Sequence, residues 1–527
     1  MRFKNEQTFN KFVLSKKEDS FHDRYELALQ NVKSEFGNVY PLIIGGKKIM
    51  TQTTFALHSP IDTRITLGYF SRATSEDTIN AINAAKDSFE IWRKYDYKRR
   101  IKICADAAER LRRSKFEIAA WLSYENGKNR YEAMADVDEA IDFIRYYCAS
   151  METNRGFSTP MKSAHNGETS ISVMKPYGVW AVIAPFNFPA AILVGMSIGA
   201  LITGNTVIIK PASTAPTSGY KFVEIMLDVG LPDGMINFIT GPGTEFGRNI
   251  SRNEHVAGIA FTGSVKAGHE ILRRFNRIIV RPAITELGGK NPAIVTESAD
   301  LGQAAYGITN AAFGYAGQKC SACSIAYVQK KIKRQFVEEL VNRNNQLKVG
   351  NPLERNTFVG PLISMDAYKN YRTYVRLASR DGRILMGGRV CKNGELRHGF
   401  YVEPTIIEGL LGDHWLLANE LFVPILCLIE YDNIKDAIRS CNRSKYGLTA
   451  GIYSKNKEEI EKFIEGIESG VIYVNRAGSA TTGAMVGCQS FVGWKKSGTT
   501  GLGSGGPYYL TQFMHEQSQT MGSIRST

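Results

Sequence analysis

The chain has 527 residues, of which 43% are hydrophobic, and carries a formal net charge of +14. This length allows two or three domains or one large elaborated unit. The basic surplus is modest, and no basic patches interleaved with aromatic residues are evident, so a nucleic-acid-binding protein is not predicted. The eight scattered cysteines are too sparse for a disulfide framework, which favours a reducing compartment.

Membrane insertion is not predicted either. The polar N-terminus lacks the apolar core of a signal peptide. The longest apolar run, residues 188–202, spans 15 residues and is interrupted by two glycines. A membrane-spanning helix needs about 20 apolar residues. We therefore expect a cytoplasmic protein that has no membrane partner.

The N-terminal third predicts mostly helices. Residues 1–40 are charged and amphipathic and indicate a helical or partly mobile arm. Alternation around Gly45 and Gly46 predicts a hairpin over residues 40–49. Helical patterns run from Ser75 to about Met151, with one helix opening at Glu76 and two more around 98–114 and 131–150. Residues 170–175 then alternate as a strand.

The hydrophobic pattern changes after residue 177. Continuous apolar runs at 178–184, 205–210, 236–240 and 256–262 alternate with helical segments. Such runs are typical of strands buried on both faces, and their alternation with helices predicts a parallel doubly wound sheet. Residues 284–475 repeat the pattern, with strands at 293–295, 324–328, 425–429, 450–453 and 471–474, and predict a second α/β domain. The tail, residues 501–527, is Gly-rich and then extended.

Cys320 and Glu286 are the candidate catalytic pair, 34 positions apart. A thiolate at Cys320 could attack a carbonyl, although a lone cysteine is more often structural. The spacing of Cys320 and Cys323 does not predict a zinc site, because a second pair is missing, and the context of a redox dithiol is absent. Glu286 precedes Leu-Gly-Gly, so it has room to swing as a general base; the alternative is a capping or surface glutamate.

Four further features of the sequence could each serve a ligand or have only a structural role. Asn187, between two prolines, could donate to an oxyanion or could stabilise a turn. Residues 241–247 resemble a dinucleotide fingerprint, but the last gap is one residue too long, so we interpret them mainly as a turn. The segment from Gly263 to Gly268 follows a strand and opens a helix, which suits a phosphate. Lys210, at a strand end, could bind ribose hydroxyls or be solvated.

In this order and spacing, these features resemble the NAD(P)-dependent aldehyde dehydrogenase superfamily from about residue 40 to the end. The resemblance implies Cys320 as nucleophile, Glu286 as general base and Asn187 as oxyanion donor. It implies NAD as the preferred cofactor, and it implies no metal. Many strictly NAD-using relatives have, near the position of Ser213, a glutamate that would repel the 2′-phosphate of NADP. Serine would not repel it, so we expect NADP to be tolerated. The implied cofactor contacts are Ile183, Pro185, Lys210, Ser213, Gly243, Thr262, Gly263, Ser264, Gly268, Leu287, Glu420 and Phe422.

Segments 127–133, 317–324, 482–487, 494–499 and 505–510 are similar to the L-glutamate γ-semialdehyde (1-pyrroline-5-carboxylate) dehydrogenase branch. The implied reaction is oxidation of L-glutamate 5-semialdehyde to L-glutamate through a cysteine thiohemiacetal and thioester, in proline degradation. The implied substrate contacts are Phe188, Ser321, Gly483, Ala484 and Phe491. Three alternatives stay open: a dehydrogenase for another semialdehyde or an aliphatic aldehyde, a CoA-acylating relative, against which Glu286 argues, and a non-catalytic binding protein that keeps the fold.

The resemblance also implies the architecture, an α/β fold with two doubly wound domains and a small β extension. Residues 1–153 and 175–284 would form the cofactor domain with its N-terminal arm, and residues 285–478 the catalytic domain. Residues 154–174 and 505–527 would form oligomerisation strands. Because open strand edges need pairing, we expect a homodimer or a higher homo-oligomer.

Overall fold

The computed structural model describes residues 3–476 and 485–522. The N-terminal part contains α1 (Thr8–Leu14), α2 (Glu18–Lys33), β1 (Val39–Tyr40), β2 (Leu42–Ile44), β3 (Lys47–Ile49), β4 (Thr54–His58), β5 (Thr66–Ser71), α3 (Ser75–Trp92), α4 (Tyr97–Arg113), α5 (Lys115–Asn126), α6 (Arg130–Thr153), β6 (Ser158–Met161) and β7 (Glu168–Pro176).

The middle part alternates strands and helices: β8 (Val179–Ile183), α7 (Ala191–Ile202), β9 (Thr206–Lys210), α8 (Thr217–Asp228), β10 (Ile236–Phe238), α9 (Gly243–Arg252), β11 (Val256–Thr262), α10 (Val265–Phe275) and β12 (Ala283–Glu286).

The C-terminal part contains β13 (Asn291–Val295), α11 (Leu301–Phe313), β14 (Cys323–Gln329), α12 (Lys333–Asn344), α13 (Met365–Asp381), β15 (Arg383–Met386), β16 (Thr405–Glu408), α14 (Trp415–Ala418), β17 (Ile425–Tyr431), α15 (Ile434–Asn442), β18 (Tyr446–Gly447), β19 (Thr449–Tyr453), α16 (Lys457–Gly466), β20 (Val471–Val474), β21 (Trp494–Lys495) and β22 (Met514–Gly522). Four 3₁₀ turns lie at Gly314–Gly317, Lys330–Ile332, Gly394–His398 and Tyr509–Phe513.

Two large sheets dominate the described residues, each with seven strands. The first has the order β12-β11-β8-β9-β10-β2-β3; its first five strands are parallel, and the β2–β3 hairpin closes one edge antiparallel. The second has the order β15-β16-β17-β14-β13-β19-β20 and is parallel except for β15. This pairing confirms the two doubly wound sheets that the apolar runs predict.

β9 shows why the central strands are apolar throughout. All five of its residues are buried. Val207 and Ile209 contribute to one hydrophobic core, and Ile208 contributes to the core on the opposite face. Because side chains alternate along a strand, both faces of the sheet must be covered, and helices such as α3 and α7 cover them.

A separate antiparallel sheet has the order β22-β7-β6. The register of β22 on β7 runs from Met514 opposite Pro176 to Gly522 opposite Glu168. Most side chains of β22 are exposed. Among the described residues, β22 and β6 pair only with β7, so each leaves an open edge.

Most predicted elements are present, including the hairpin around Gly45 and the helices after Ser75. The helical stretch between residues 98 and 150 holds three helices instead of two, because α5 is a separate helix. Residues 241–247 are a turn only at their start, since α9 begins at Gly243. Among the described residues, no helix is long and apolar enough to cross a membrane.

Candidate active site

The two residues of the predicted catalytic pair, Cys320 and Glu286, line one cavity of about 610 Å³. Glu286 is the last residue of β12 in the first sheet, and Cys320 lies just before β14 in the second. Both line this cavity, as do the predicted site residues Thr262, Phe188, Ser321 and Phe491. The carboxyl ends of parallel strands are where α/β folds place their ligands. The thiol and the carboxylate therefore face the same cavity.

The backbone before the nucleophile is strained. Tyr315 has φ 51° and Ala316 has φ 52°, and Gly317 follows with φ 68°. Left-handed backbone is costly for residues that carry a Cβ, and it persists only where the surroundings fix it. The Tyr315 hydroxyl donates to the Asn126 carbonyl over 2.9 Å, and the Gln318 side chain accepts from the Ile363 N–H over 2.8 Å. These bonds hold the turn that presents Cys320.

Asn291 clamps the nucleophile loop. Its side-chain amide donates to the carbonyls of Cys320, over 2.7 Å, and Ala322, over 2.9 Å. Its side-chain oxygen accepts from the Thr449 N–H over 3.0 Å. Sequence reasoning missed this role; the available signal was a buried asparagine that opens an otherwise apolar strand. Asn291 thus positions Cys320 against β13 and β19.

The surroundings of Cys320 disfavour its thiolate form. Burial raises its pKa well above the ordinary value, and the carboxylates of Glu420 and Glu286 raise it further. Backbone N–H bonds from Ser321 and Cys320 oppose that shift. An attack by this sulfur therefore requires a nearby base to take its proton.

Glu286 has the properties of such a base. Burial raises its pKa well above the ordinary value, and an N–H bond from Gly493 opposes the shift. Its Oε2 atom is buried and has no hydrogen-bond partner among the described residues. A carboxylate with a raised pKa is a stronger base in its ionised form than an exposed glutamate, which suits general base catalysis.

Most predicted cofactor contacts lie at or beside the carboxyl ends of the first sheet's strands, whereas Glu420 and Phe422 lie just before β17 of the second sheet. Lys210 ends β9 and is 5% exposed, and its Nζ donates to the Pro211 carbonyl over 2.8 Å. Burial lowers its pKa to about 8. An ammonium group has three donors, and one partner leaves two for a ligand. A buried lysine of this kind fits the ribose hydroxyls of a dinucleotide.

Glu420 provides a complementary acceptor. Its Oε1 accepts from the Gly289 N–H over 3.0 Å, and burial raises its pKa to about 7. A Cβ on Gly288 would lie 2.2 Å from its Oε2, so only glycine fits there. The Phe422 backbone is left-handed, with φ 58°, and the ring packs edge-on to Phe186 at 5.8 Å. A sugar hydroxyl could donate to this carboxylate and a flat ring could pack on Phe422, so the assignment of both residues to NAD stays a prediction.

The other predicted cofactor residues are distributed as follows. Ser264 caps α10 by accepting from the Ala267 N–H over 3.3 Å, and the Ser213 hydroxyl donates to the Gly241 carbonyl over 3.3 Å. A Cβ on Gly268 would lie 2.5 Å from Leu287, so glycine allows α10 to approach β12. The remaining contacts lie at strand ends or at a helix start: Ile183 ends β8 and Pro185 follows it, Thr262 ends β11 and Gly263 follows it, and Gly243 begins α9.

Of the predicted catalytic and substrate residues, three are not placed on the cavity, and of the predicted cofactor contacts only Thr262 is among the described residues that line it. Asn187 lies in the loop between β8 and α7 and is 3% exposed, but it is not among the described residues that line the cavity, although its neighbour Phe188 is. Gly483 and Ala484 lie outside the described residues.

A charged pair that sequence reasoning missed also lines the cavity. Lys319 forms an ion pair with Glu132 of α6, with nitrogen and oxygen 2.8 Å apart. Glu139 lies on the same helix, and burial raises its pKa to about 8. The signal for Lys319 was its position beside Cys320, whereas Glu132 is 187 residues away in sequence.

Comparisons with known proteins agree with this geometry. The model of the "Aldehyde dehydrogenase family" matches residues 49–519. The 1-pyrroline-5-carboxylate dehydrogenase of Geobacillus thermodenitrificans (strain NG80-2) is 36% identical over 511 residues, covering 96% of this chain and 97% of the relative. That of Geobacillus kaustophilus (strain HTA426) is 37% identical over 502 residues, covering 94% and 95%.

Solved structures give the same result. The 1-pyrroline-5-carboxylate dehydrogenase from Thermus with bound NAD superposes with a TM-score of 0.93 at 34% identity, covering 99% of each chain. An NAD-dependent aldehyde dehydrogenase from Sinorhizobium meliloti gives a TM-score of 0.87 at 26% identity, covering 94% of this chain and 97% of that one. The predicted resemblance and fold class are confirmed: this chain belongs to the aldehyde dehydrogenase family.

Proposed function

We propose that the protein oxidises L-glutamate 5-semialdehyde, the open form of 1-pyrroline-5-carboxylate, to L-glutamate with NAD⁺. The observation that carries the proposal is the single cavity that holds the Cys320 thiol, the Glu286 carboxylate and a charged pair. The similarity to proteins named 1-pyrroline-5-carboxylate dehydrogenase along nearly the whole chain supports the choice of substrate.

In the first half of the reaction, the Cys320 sulfur bonds to the aldehyde carbon and the carbonyl oxygen becomes an oxyanion. Because burial keeps the resting thiol protonated, its proton must pass to a base, and Glu286 is the basic group in the same cavity. The Cys320 N–H and the Asn187 side-chain amide are our candidates for stabilising the oxyanion. Donors of this kind are worth a factor of roughly 10²–10³ in rate each.

The residues that would hold the cofactor are Lys210 and Glu420 at its sugars, the start of α10 at its phosphates and Phe422 at its nicotinamide. Bound NAD⁺ supplies the hydride acceptor that takes the aldehyde carbon to the oxidation level of a thioester. Lys210 has two unused donors, and Glu420 has a second carboxylate oxygen with no hydrogen bond among the described residues. This chain's part is to bind and orient that acceptor beside Cys320.

Before the second half, Glu286 releases the thiol proton to solvent. Glu286 then takes a proton from water, the water oxygen bonds to the acyl carbon, and the sulfur of Cys320 leaves as a thiolate. The product acid departs, and Glu286 returns its proton to the sulfur, which restores the thiol. The raised pKa of Glu286 makes it a stronger base than an exposed glutamate, and its unpartnered Oε2 atom can accept the water proton. General base catalysis of this type contributes roughly 10²–10⁴-fold.

The cavity wall matches the far end of the proposed substrate. That end carries an ammonium group and a carboxylate, and the Lys319–Glu132 pair offers one charge of each sign. Ser321 lines the same region, while Phe188 and Phe491 provide apolar surface for the methylene groups. A simple aliphatic aldehyde would leave the buried charges without new partners, which favours an amino acid semialdehyde.

We also propose that residues 1–153 and 175–284 form the cofactor domain, residues 285–478 the catalytic domain, and the β22-β7-β6 sheet an oligomerisation element. The open edges of β22 and β6 support pairing with a second copy of the chain. All eight cysteines are free, which supports a cytoplasmic location.

The test is NADH formation from 1-pyrroline-5-carboxylate, succinate semialdehyde and propanal under the same conditions. We expect the highest kcat/KM for 1-pyrroline-5-carboxylate, and no activity in Cys320→Ala. A matched control, Cys391→Ala, changes a half-buried cysteine outside the cavity and should keep full activity. A preference for either aldehyde that lacks the amino acid group would overturn the substrate assignment.

A further inference from the structure

The N-terminal arm, defined here as residues 3–14, contributes to the catalytic cavity. It precedes the part of the chain that matches the family model, which begins at residue 49. Even so, Asn5, Gln7, Phe9 and Asn10 line the same cavity as Cys320. The arm therefore forms part of the wall of the aldehyde site, although it lies more than 300 positions before the nucleophile.

Polar contacts fix the arm on α6. Asp142 accepts from the Glu6 N–H and from the Asn5 side chain, both over 2.9 Å. Asp138 accepts from the Thr8 N–H over 2.5 Å and from its hydroxyl over 2.6 Å. Asp142 and Asp138 both line the cavity themselves. Because each carboxylate is satisfied by the arm, the arm has one defined position on the cavity wall.

Ion pairs reinforce this position. Glu6 is 5% exposed, and its carboxylate accepts from Lys115 over 2.9 Å and from Arg145 over 2.6 Å. The ring of Phe9 packs edge-on against Tyr131 with the centroids 4.4 Å apart. Buried, paired charges and packed rings hold the arm far more firmly than an exposed terminus would be held.

Asn5 also links the arm to the segment after the predicted substrate loop. Its side-chain nitrogen donates to the Val486 carbonyl over 3.0 Å, and its side-chain oxygen accepts from the Cys488 thiol over 3.6 Å. Residues 485–488 follow directly on residues 483 and 484, the expected contacts of the substrate's charged end. One side chain thus joins α6, the arm and this segment.

We propose that the N-terminal arm is a specificity-determining part of the aldehyde site, in which Asn5 positions residues 485–488 for recognition of the substrate's amino acid end. The inference rests on the proposed function, because it concerns the same cavity. Asn5 acts here as a positioning residue. Its contribution is preorganisation: a segment that is already held loses less freedom when the ligand binds.

The test compares Asn5→Ala with Asn31→Ala, the same change at an exposed position on α2. For Asn5→Ala we expect the KM for glutamate semialdehyde and the Kd for L-glutamate to rise about ten-fold, since the two hydrogen bonds to Val486 and Cys488 are lost together with the one to Asp142. The kcat, the KM for NAD⁺ and kcat/KM for propanal should stay within about two-fold, because propanal has no charged end to position. Asn31→Ala should match wild type throughout.

Equal losses with glutamate semialdehyde and propanal would overturn the proposal, since they would indicate general damage to the fold. An unchanged Kd for L-glutamate would overturn it as well. If Asn5→Ala does not fold, Asn5→Leu keeps about the size of the side chain, places no charge beside Asp142 and cannot donate to Val486, and it should show the same selective loss. If the wild-type protein prefers another aldehyde, that result refutes the proposed function but not the role of the arm. The role of the arm is then tested by comparing the KM of Asn5→Ala for that aldehyde with its KM for propanal, with the same expected and contradicting results.

Discussion

Replacing Lys128 by methionine removes one half of a fully buried ion pair beneath the proposed substrate site. The Lys128 Nζ lies 2.8 Å from an oxygen of Asp136, and both side chains are 0% exposed. The other Asp136 oxygen accepts from the Ala191 N–H over 2.8 Å. The Lys128 ammonium also lies 3.7 Å from the centroid of the Phe188 ring, a predicted substrate contact. The pair therefore supports the start of α7 and one wall of the cavity.

The expected loss in the free energy of unfolding follows from the burial of this ion pair. Burial raises the pKa of Asp136 and lowers that of Lys128, and each shift is opposed by the partner's charge. Removing one partner of such a pair leaves a buried charge uncompensated and costs roughly 3–5 kcal/mol. For a cooperative unit of about 250 residues, the entropy of unfolding is about 0.5 kcal/mol/K, so the Tm should fall by roughly 6–10 °C.

Thermal unfolding followed by circular dichroism measures this loss. The matched control is Lys48→Met, which breaks an ion pair of the same 2.8 Å length whose lysine is 58% exposed. Exposed pairs contribute about 0–1 kcal/mol, so its Tm should change by about 2 °C or less. The double variant Lys128→Met/Asp136→Asn should recover most of the loss, because no unpaired charge remains and the amide oxygen can still accept from the Ala191 N–H. A Lys128→Met protein that melts within 2 °C of wild type, or a double variant no better than the single one, would refute the reasoning.

Two further predictions concern the neighbourhood of the catalytic pair. In Gly289→Ala, the new Cβ would lie 2.5 Å from the Cys320 carbonyl oxygen, so the nucleophile must shift and kcat should fall about 10²-fold; Gly302→Ala, whose Cβ would meet nothing closer than 3.6 Å, is the control and should keep kcat. An equal kcat in both variants would contradict this. In Glu420, burial raises the pKa from 4.5 to about 7, against the opposing Gly289 N–H and Lys290. The folded state then binds this proton more tightly than the unfolded state, so the stability that Glu420 contributes is complete below pH 4.5 and is lost as pH rises through about 7. Glu420→Gln should therefore raise the Tm relative to wild type more at pH 8 than at pH 5, and a difference that does not vary with pH would exclude this origin.

The sequence predicts the central strands well because burial on both faces forces continuous apolar runs, as in β9. It fails at α5, where nearly every residue is buried and the helical periodicity disappears. It also fails at Gly243, where Pro242 precedes the first turn of α9. Proline is tolerated near a helix start, so a stiff turn there is compatible with a helix.

The site is predictable where its residues carry their own local signals. Cys320 and Glu286 stand beside glycines, and the structure places both on one cavity. The contacts of Glu132 with Lys319, and of Asn5 with Asp142, join residues 187 and 137 positions apart. No local pattern encodes such pairs, because they exist only once α6 is packed against the nucleophile loop and the arm.

The central claim is that Cys320 becomes acylated and that Glu286 is needed to release the acyl group. The most direct test mixes Glu286→Gln rapidly with NAD⁺ and 1-pyrroline-5-carboxylate, follows NADH, and locates the adduct by mass spectrometry of the quenched protein. We expect a burst of about one NADH per active site, slower than the wild-type burst because water must then take the Cys320 proton, followed by a steady rate roughly 10²–10³-fold below wild type, with the acyl group on Cys320. A steady rate equal to that of wild type, or a burst with no acyl group on Cys320, would contradict the account.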